Sequence, residues 1–427
     1  MPDLTSQLLP EIENHQLPGL DLPPESIAPK YDDTSILNIP DSICHWLDIP
    51  AIGEGPLRPE ILTSLESNAR RVILILMDAL ALHRLRNWIE SSVTPIWGTI
   101  LQNGVLAPLT SISPSTTSAA LTTFWTGRSP ATHGILGYEV WLKEYSMVAN
   151  MILHAPMTFR GDVDSLSKAG FDPQKFLALP TFGPHLRQYG VKPYAFQHRS
   201  IAHSGLSRMF QRDTQIYGFQ SAVDLWVSIR QLIENRPNER QYIWTYWGEV
   251  DGLSHFFGPD DERVSAEFSQ FSAAFEQFFI NKLSPELRKD TLVILTADHG
   301  QIHTPLVANN ALKNHPDLNQ NLHITPTGEG RMSYLYLRPE SEQAVRAYLD
   351  KNWTEGFTII NREQALSAGL FGPGPHHSGL QDRIGDLIAF SHGHNYLWWA
   401  EKDDFMLGRH GGLHQEEMLV PFLAARF

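Results

Sequence analysis

Val72–Met77 reads VILILM, apolar at six consecutive positions. A strand with one wet face alternates apolar and polar residues. An unbroken run of this length instead fits a parallel strand covered on both faces. Comparable runs occur at Tyr242–Tyr246, Leu292–Thr296 and Leu387–Phe390. A second period lies between them. Val264, Phe268, Phe271, Phe275 and Phe278 recur four and three positions apart, which places them on one face of a helix, packed into the core. Apolar strands alternating with amphipathic helices predict an α/β fold built on a doubly wound, mostly parallel sheet.

The texture differs at two places. Residues 1–69 hold ten of the 29 prolines and show no helical or strand period, which predicts an arm packing on the core, extended or partly disordered. Residues 311–384 predict a small α+β insertion that caps one edge of the active site. Met332–Leu337 and Phe357–Ile360 read as its strands. Glu340–Leu349 reads as its helix, with Ala344, Val345, Tyr348 and Leu349 facing inward. The catalytic core is then 70–310 together with 385–427.

Composition narrows the function. The 427 residues carry 47 acids and 33 bases, a formal charge of −14. That balance argues against a stable nucleic-acid complex or an anionic membrane surface, both of which need basic patches. The sole cysteine, Cys44, cannot form an internal disulfide and reads as a small packing residue. Met1–Pro10 lacks a basic stretch followed by an apolar run, and no apolar run approaches the roughly 18 residues of a membrane span. The expected location is the cytoplasm.

Ligands of open α/β sheets bind beyond the carboxyl ends of the strands. Asp78 follows the first run. Trp247-Gly248-Glu249-Val250-Asp251 follows the second, with His255 four residues further on. Ala297-Asp298-His299-Gly300 follows the third, and Gly408-Arg409-His410-Gly411-Gly412 lies near the C-terminus. Each alone is as well explained by a helix cap or a turn. Their joint arrival at separate strand ends is not. Carboxylate oxygens and neutral imidazoles suit zinc and similar divalent ions. Two such ions about 3.5–4 Å apart stabilise both the attacking and the leaving oxygen of an in-line displacement. A hydroxyl cluster, Ser113 to Ser118, precedes a helical segment whose N-terminus suits a phosphoryl oxygen or is simply well capped.

In this order the segments resemble the alkaline phosphatase superfamily, in particular its nucleotide pyrophosphatase/phosphodiesterase branch. Pro114, Thr117, Thr126-Gly127 and Pro130-Ala131-Thr132-His133-Gly134-Ile135 match the segment around the family's threonine nucleophile. Tyr246, Glu249, Asp251, His255, Gly258 and Pro259 match its second block, and Asp298–Gly300 and Gly408–Gly411 its last two. The resemblance implies two divalent ions, zinc before manganese. One is held by Asp251, His255 and His410. The other is held by Asp78, Asp298 and His299, with the Thr117 oxygen completing its shell. It further implies hydrolysis of phosphodiester or pyrophosphate bonds in nucleotide-like small molecules through a phospho-threonine. A phosphomonoesterase or a phosphonate hydrolase of the same superfamily is the alternative.

Three positions depart from the family pattern. Val250 replaces a proline, Ser254 replaces a glycine, and Tyr138 stands where diesterases place the asparagine that holds a phosphoryl oxygen. Tyr138 is therefore the candidate substrate contact. A sulfatase requires a modified cysteine or serine in a context absent near Thr117. A phosphoglycerate mutase requires a serine nucleophile and a late motif that are also absent. A non-catalytic metal-binding protein is the alternative of a different class.

Overall fold

The computed structural model describes residues 3–66, 68–157 and 162–426. Its central sheet runs, edge to edge, through Gly104–Thr110, Leu419–Arg426, Thr291–Thr296, Arg71–Met77, Gln241–Trp247, Lys192–His198 and Gln215–Phe219. Leu419–Arg426 pairs antiparallel with both neighbours, and the other pairings are parallel. The three longest apolar runs are thus adjacent at the sheet's centre, where both faces are covered and every residue of Arg71–Met77 is buried. Their register matters most. Met77 lies opposite Trp247, and Leu76 lies opposite both Tyr246 and Thr296. The chains following the three strands therefore leave the sheet at one level.

The helix Glu262–Phe275 buries Val264, Phe268, Phe271 and Phe275 as its period predicts. Phe278 does not follow them inward. A π-helical turn, Glu276–Ile280, with a bond from Asn281 N–H to Glu276 C=O, shifts the phase by one residue, so Phe279 is buried instead. Trp97 stacks on Phe275 at 5.2 Å between centroids, and Trp226 packs on Phe275 at 4.5 Å.

Leu387–Phe390 corrects the sequence reading. It is a buried strand, Leu387–Ser391, but it belongs to a second sheet and pairs antiparallel with both neighbours. That sheet runs Phe357–Asn361, Leu387–Ser391, Met332–Leu335, Thr327–Glu329, Glu139–Leu142, Met147–Asn150 and Ala155–Pro156. An apolar run reports burial on two faces and says nothing of strand direction or of which sheet covers it. The sheet draws on segments on both sides of 311–384, so those boundaries do not delimit a unit. The helix Glu342–Asn352 packs Val345 and Leu349 into a small satellite core with Leu335 and Leu387. Ala344 is exposed and Tyr348 half-buried.

Residues 1–69 carry the short helices Thr5–Glu13, Ile39–Trp46 and Pro59–Leu62. One to three turns are too few to print a period, and Pro40 and Pro59 sit in first turns, where a missing N–H costs nothing. Leu8, Ile36, Ile43 and Trp46 are fully buried, and Trp46 stacks on Phe422 of the central sheet at 5.9 Å. Buried Asp41 accepts the N–H groups of Ile52, Gly53 and Gly55 at 2.7–2.8 Å. This turn lets Gly53 pack directly on the backbone of Gly127, where any Cβ would collide. Asp41→Ala leaves three donors without that acceptor and lowers stability by about 2–3 kcal/mol. Urea unfolding measures it, and an unchanged midpoint would show that the turn holds without the carboxylate.

Candidate active site

Register delivers the first groups. Asp78 directly follows its strand and is buried. Asp298 and His299 follow the neighbouring strand by two and three residues and are fully buried. On the other side the helix Glu249–Phe257 carries Asp251 and His255 four residues apart, hence on one face. His410 arrives from far along the chain. The two-residue strand Gly408–Arg409 pairs antiparallel with Ile302–His303 and folds the C-terminal loop over the sheet ends.

Six side chains meet there. His255 Nε2 lies 3.3 Å from Asp251 Oδ2, and His410 Nε2 lies 3.8 Å from Asp251 Oδ1. His299 Nε2 lies 3.5 Å from Asp78 Oδ1 and 3.6 Å from Asp298 Oδ2. The rings of His299 and His410 stack at 3.8 Å. Two groups have ligand atoms close enough to share one ion: Asp78, Asp298 and His299, and Asp251, His299 and His410. His299 is common to both, and His255 stands beside the second.

The imidazoles have a fixed orientation. Nδ1 of His255 faces Gly408 C=O at 2.8 Å, that of His299 faces Gly300 C=O at 2.9 Å, and that of His410 faces Ser115 C=O at 3.0 Å. A carbonyl only accepts, so Nδ1 of His299 and of His410 carries the proton and their Nε2 atoms point lone pairs inward, while Nδ1 of His255 also meets the Gln301 amide nitrogen at 3.0 Å. Nε2 lone pairs thus face carboxylate oxygens. Asp78 Oδ1 and Asp298 Oδ2 are buried with no hydrogen-bond donor. Such a pocket is rich in acceptors and short of positive charge, and divalent cations fit it.

Electrostatics agree. Burial and then the charges of Asp298 and Asp251 push Asp78 well above the usual carboxylate range. Burial likewise raises Asp298, against the pull of His299. Burial would raise Asp251 too, but His255 and His410 outweigh it and hold that carboxyl low. Burial and the neighbouring His299 hold His410 far below its ordinary value.

Thr117 opens the helix Thr117–Thr126, behind extended Thr116. Its Oγ1 lies 3.1 Å from His299 Nε2, so the hydroxyl touches the residue common to both groups. Tyr138 lines the adjoining cavity of about 440 Å³, and its N–H donates to Glu329 Oε1 at 2.7 Å. Arg128 points away, donating to the carbonyls of Ile52 and Gly53. His414 caps a short helix and contacts Glu25. His392 bonds Thr358, and His394 bonds the His303 carbonyl, outside the cluster. Cys44 is buried.

Sequence reasoning missed the cavity's other walls. Glu329 sits between Thr116 and Tyr138, and burial pushes its carboxyl up to about 7 against their hydrogen bonds. Trp398, Trp399, Phe256 and Phe405 form an aromatic rim, with Trp399 Nε1 donating to Glu139 Oε2 at 2.8 Å. Apart from Phe256, on the helix Glu249–Phe257, these residues lie in loops and on the second sheet, with no spacing to single them out. Tyr246, half-buried, donates its hydroxyl to Asp78.

The mostly parallel sheet and the acceptor-rich pocket at its strand ends define a hydrolase of the alkaline phosphatase superfamily, a class whose members work with metal. The type I phosphodiesterase / nucleotide pyrophosphatase family matches residues 72–413, and the chain belongs to it. Solved structures share the fold. Murine ectonucleotide pyrophosphatase/phosphodiesterase 5 is 20% identical, with 83% of this chain and 87% of that chain covered, at a TM-score of 0.60. Phosphonoacetate hydrolase from Sinorhizobium meliloti 1021, in complex with phosphonoformate, is 18% identical, with 84% and 90% covered, also at 0.60. An inactive threonine-to-alanine variant of the murine protein, in complex with AMP, is 19% identical, with 83% and 87% covered, at 0.59. Among curated proteins no sequence matches the chain. No helix among the described residues is long and apolar enough to cross a membrane.

The raised carboxyls of Asp78 and Asp298 bind protons more tightly than free aspartate, so protons compete with metal. Divalent-ion affinity therefore falls as pH falls, on the order of tenfold per pH unit for each proton displaced. Calorimetry in buffers of different ionisation enthalpy reads the protons released. Binding of equal strength at pH 5.5 and pH 8 would contradict it.

Proposed function

We propose that the protein hydrolyses phosphodiester or pyrophosphate bonds in small nucleotide-like molecules, with Thr117 as the attacking group and two divalent ions, zinc or manganese, as cofactors. The observation that carries this is the position of Thr117. Its hydroxyl stands at the positive end of a buried helix, 3.1 Å from the imidazole shared by two ligand groups. The AMP complex of the inactive threonine-to-alanine neighbour supports both nucleophile and substrate class.

Asp251, His255 and His410 would hold one ion; Asp78, Asp298 and His299 would hold the other, next to the Thr117 oxygen. When bound, the ions supply positive charge for the phosphoryl oxygens and acidify the hydroxyl. The chain's own groups do the rest. The carbonyls of Gly408, Gly300 and Ser115 lock the imidazoles. The free N–H groups at the start of Thr117–Thr126 face the charge that develops on the transferred group. Attack breaks the ester bond, leaves phospho-threonine at position 117 and releases the alcohol or nucleotide; water then frees the phosphoryl group.

Thr117→Ala should lower kcat by at least about a thousandfold with the fold intact, whereas Thr116→Ala should cost far less. Reversed effects would mean that Thr116 is the attacking residue.

Charge favours diesters over monoesters. A monoester carries one more negative charge, and superfamily phosphatases meet it with a third metal and an arginine. Tyr246 occupies the position of the third metal's carboxylate and is committed to Asp78, while Arg128 faces the segment at Ile52. A phosphonate hydrolase is the second reading, favoured by Tyr138 at the position of the diesterase asparagine and by the phosphonoacetate hydrolase likeness. Bis(4-nitrophenyl) phosphate should be cleaved with higher kcat/KM than 4-nitrophenyl phosphate at equal metal loading. A monoester preference would move the enzyme to the phosphatase side, and turnover of phosphonoacetate alone would establish the second reading.

A further inference from the structure

A fully buried ion pair between an arginine and a glutamate lies behind the site, not in it. Arg331 and Glu417 both have side chains of 0% relative exposure. Arg331 Nε donates to Glu417 Oε1 at 2.9 Å, and Nη2 donates to Oε2 at 2.8 Å, a two-pronged contact. Its Nη1 donates to the carbonyls of Gly393 and Asn395 at 2.8 and 2.6 Å. Arg331 directly precedes the strand Met332–Leu335 of the second sheet, and Glu417 lies two positions before the strand Leu419–Arg426 of the first. The pair therefore spans the two sheets.

Glu417 has further partners, and they lead to the site. Its Oε1 accepts Gly412 N–H at 2.9 Å, and its Oε2 accepts His414 N–H at 3.3 Å. These bonds hold the loop that follows His410. Its backbone carbonyl accepts Gly300 N–H at 2.7 Å, which holds the turn that follows Asp298 and His299. Both neighbouring glycines are fitted to the contact. A Cβ at Gly300 would collide with the Glu416 carbonyl, and one at Gly412 would press on the Glu417 carboxylate. One residue thus ties together the two loops that bring His299 and His410 face to face at 3.8 Å.

A cross-link between two sheets needs no charge. Burying two ions is expensive, and an apolar pair of similar volume often serves stability as well or better. What an apolar pair cannot do is accept two backbone N–H groups of the His410 loop in a fixed direction. We propose that Arg331 and Glu417 are positioning residues for the metal site. Arg331 orients the Glu417 carboxylate, and Glu417 sets the spacing of the His299 and His410 loops, and so of the two ligand groups. The proposal rests on the two-metal reading given above and concerns residues that touch neither substrate nor metal.

The experiment compares the full-length wild-type chain with Glu417→Gln and with the double variant Arg331→Met/Glu417→Met. Zinc affinity is read by chelator competition, metal-free stability by urea unfolding, and kcat and KM on bis(4-nitrophenyl) phosphate. Groups placed behind metal ligands typically alter metal affinity on the order of 10–100-fold when changed. Glu417→Gln should lose zinc affinity in that range, with kcat falling more than KM changes, because the amide has one acceptor oxygen and cannot take both the Gly412 and the His414 N–H groups. The double variant should recover metal-free stability yet keep the weakened zinc binding. If either variant fails to fold, Arg331→Lys, which keeps the charge but loses the fork, is read in the same way. A stable double variant that binds zinc and turns over like wild type would overturn the proposal and leave the pair as a cross-link between sheets. Absence of divalent-ion binding in the wild type would be a separate failure, that of the metal reading, visible before any variant is compared.

Discussion

Carboxylates held together in a buried pocket repel one another, and burial magnifies the repulsion. Asp78, Asp251 and Asp298 are held in this way, with two of them forced toward protonation. Isolated, such a cluster would spring apart or fill with water. Here the three central strands carry it. Their aligned register fixes where Asp78 and Asp298 stand, and a helix face fixes Asp251 with His255. The stiff apolar sheet is what allows an electrostatically unfavourable arrangement to persist until cations neutralise it.

Orientation is the second requirement. An imidazole that rotates by half a turn presents a proton instead of a lone pair. Three backbone carbonyls prevent that for His255, His299 and His410. Two of those carbonyls come from residues far away in the chain: Gly408 behind His255 and Ser115 behind His410. The segment that leads into Thr117 and the C-terminal loop therefore support each other, which couples the position of Thr117 to the two ligand groups beyond its direct contact with His299.

The substrate side of the pocket has a different origin. The central sheet supplies the charged floor, whereas the second sheet and the 397–410 loop supply Glu139, Glu329, Trp398 and Trp399. A floor of fixed chemistry under walls of variable loops is how one fold serves several ester substrates. Tyr138 belongs to that variable part.

Asp78, Asp251, His255, Asp298, His299 and His410 were legible in the sequence because each lies a short, fixed distance from a strong local signal: an apolar strand, a helical i, i+4 pair or a glycine turn. The central sheet was legible for the same reason, since burial on both faces prints an unbroken apolar run. Other features depend on contacts between distant segments, which leave no local period. The run Leu387–Phe390 announced burial but not its sheet or direction. The helices of residues 1–69 are too short to show a period, and Glu329, Arg331 and Glu417 look like ordinary surface charges in the chain. The sequence alone determined which chemical groups the protein owns and the strand ends they occupy. Tertiary structure decided that His299 lies between both groups, that Arg128 turns away, and that a buried ion pair joins the two sheets behind the site, because each of these depends on distances across the fold.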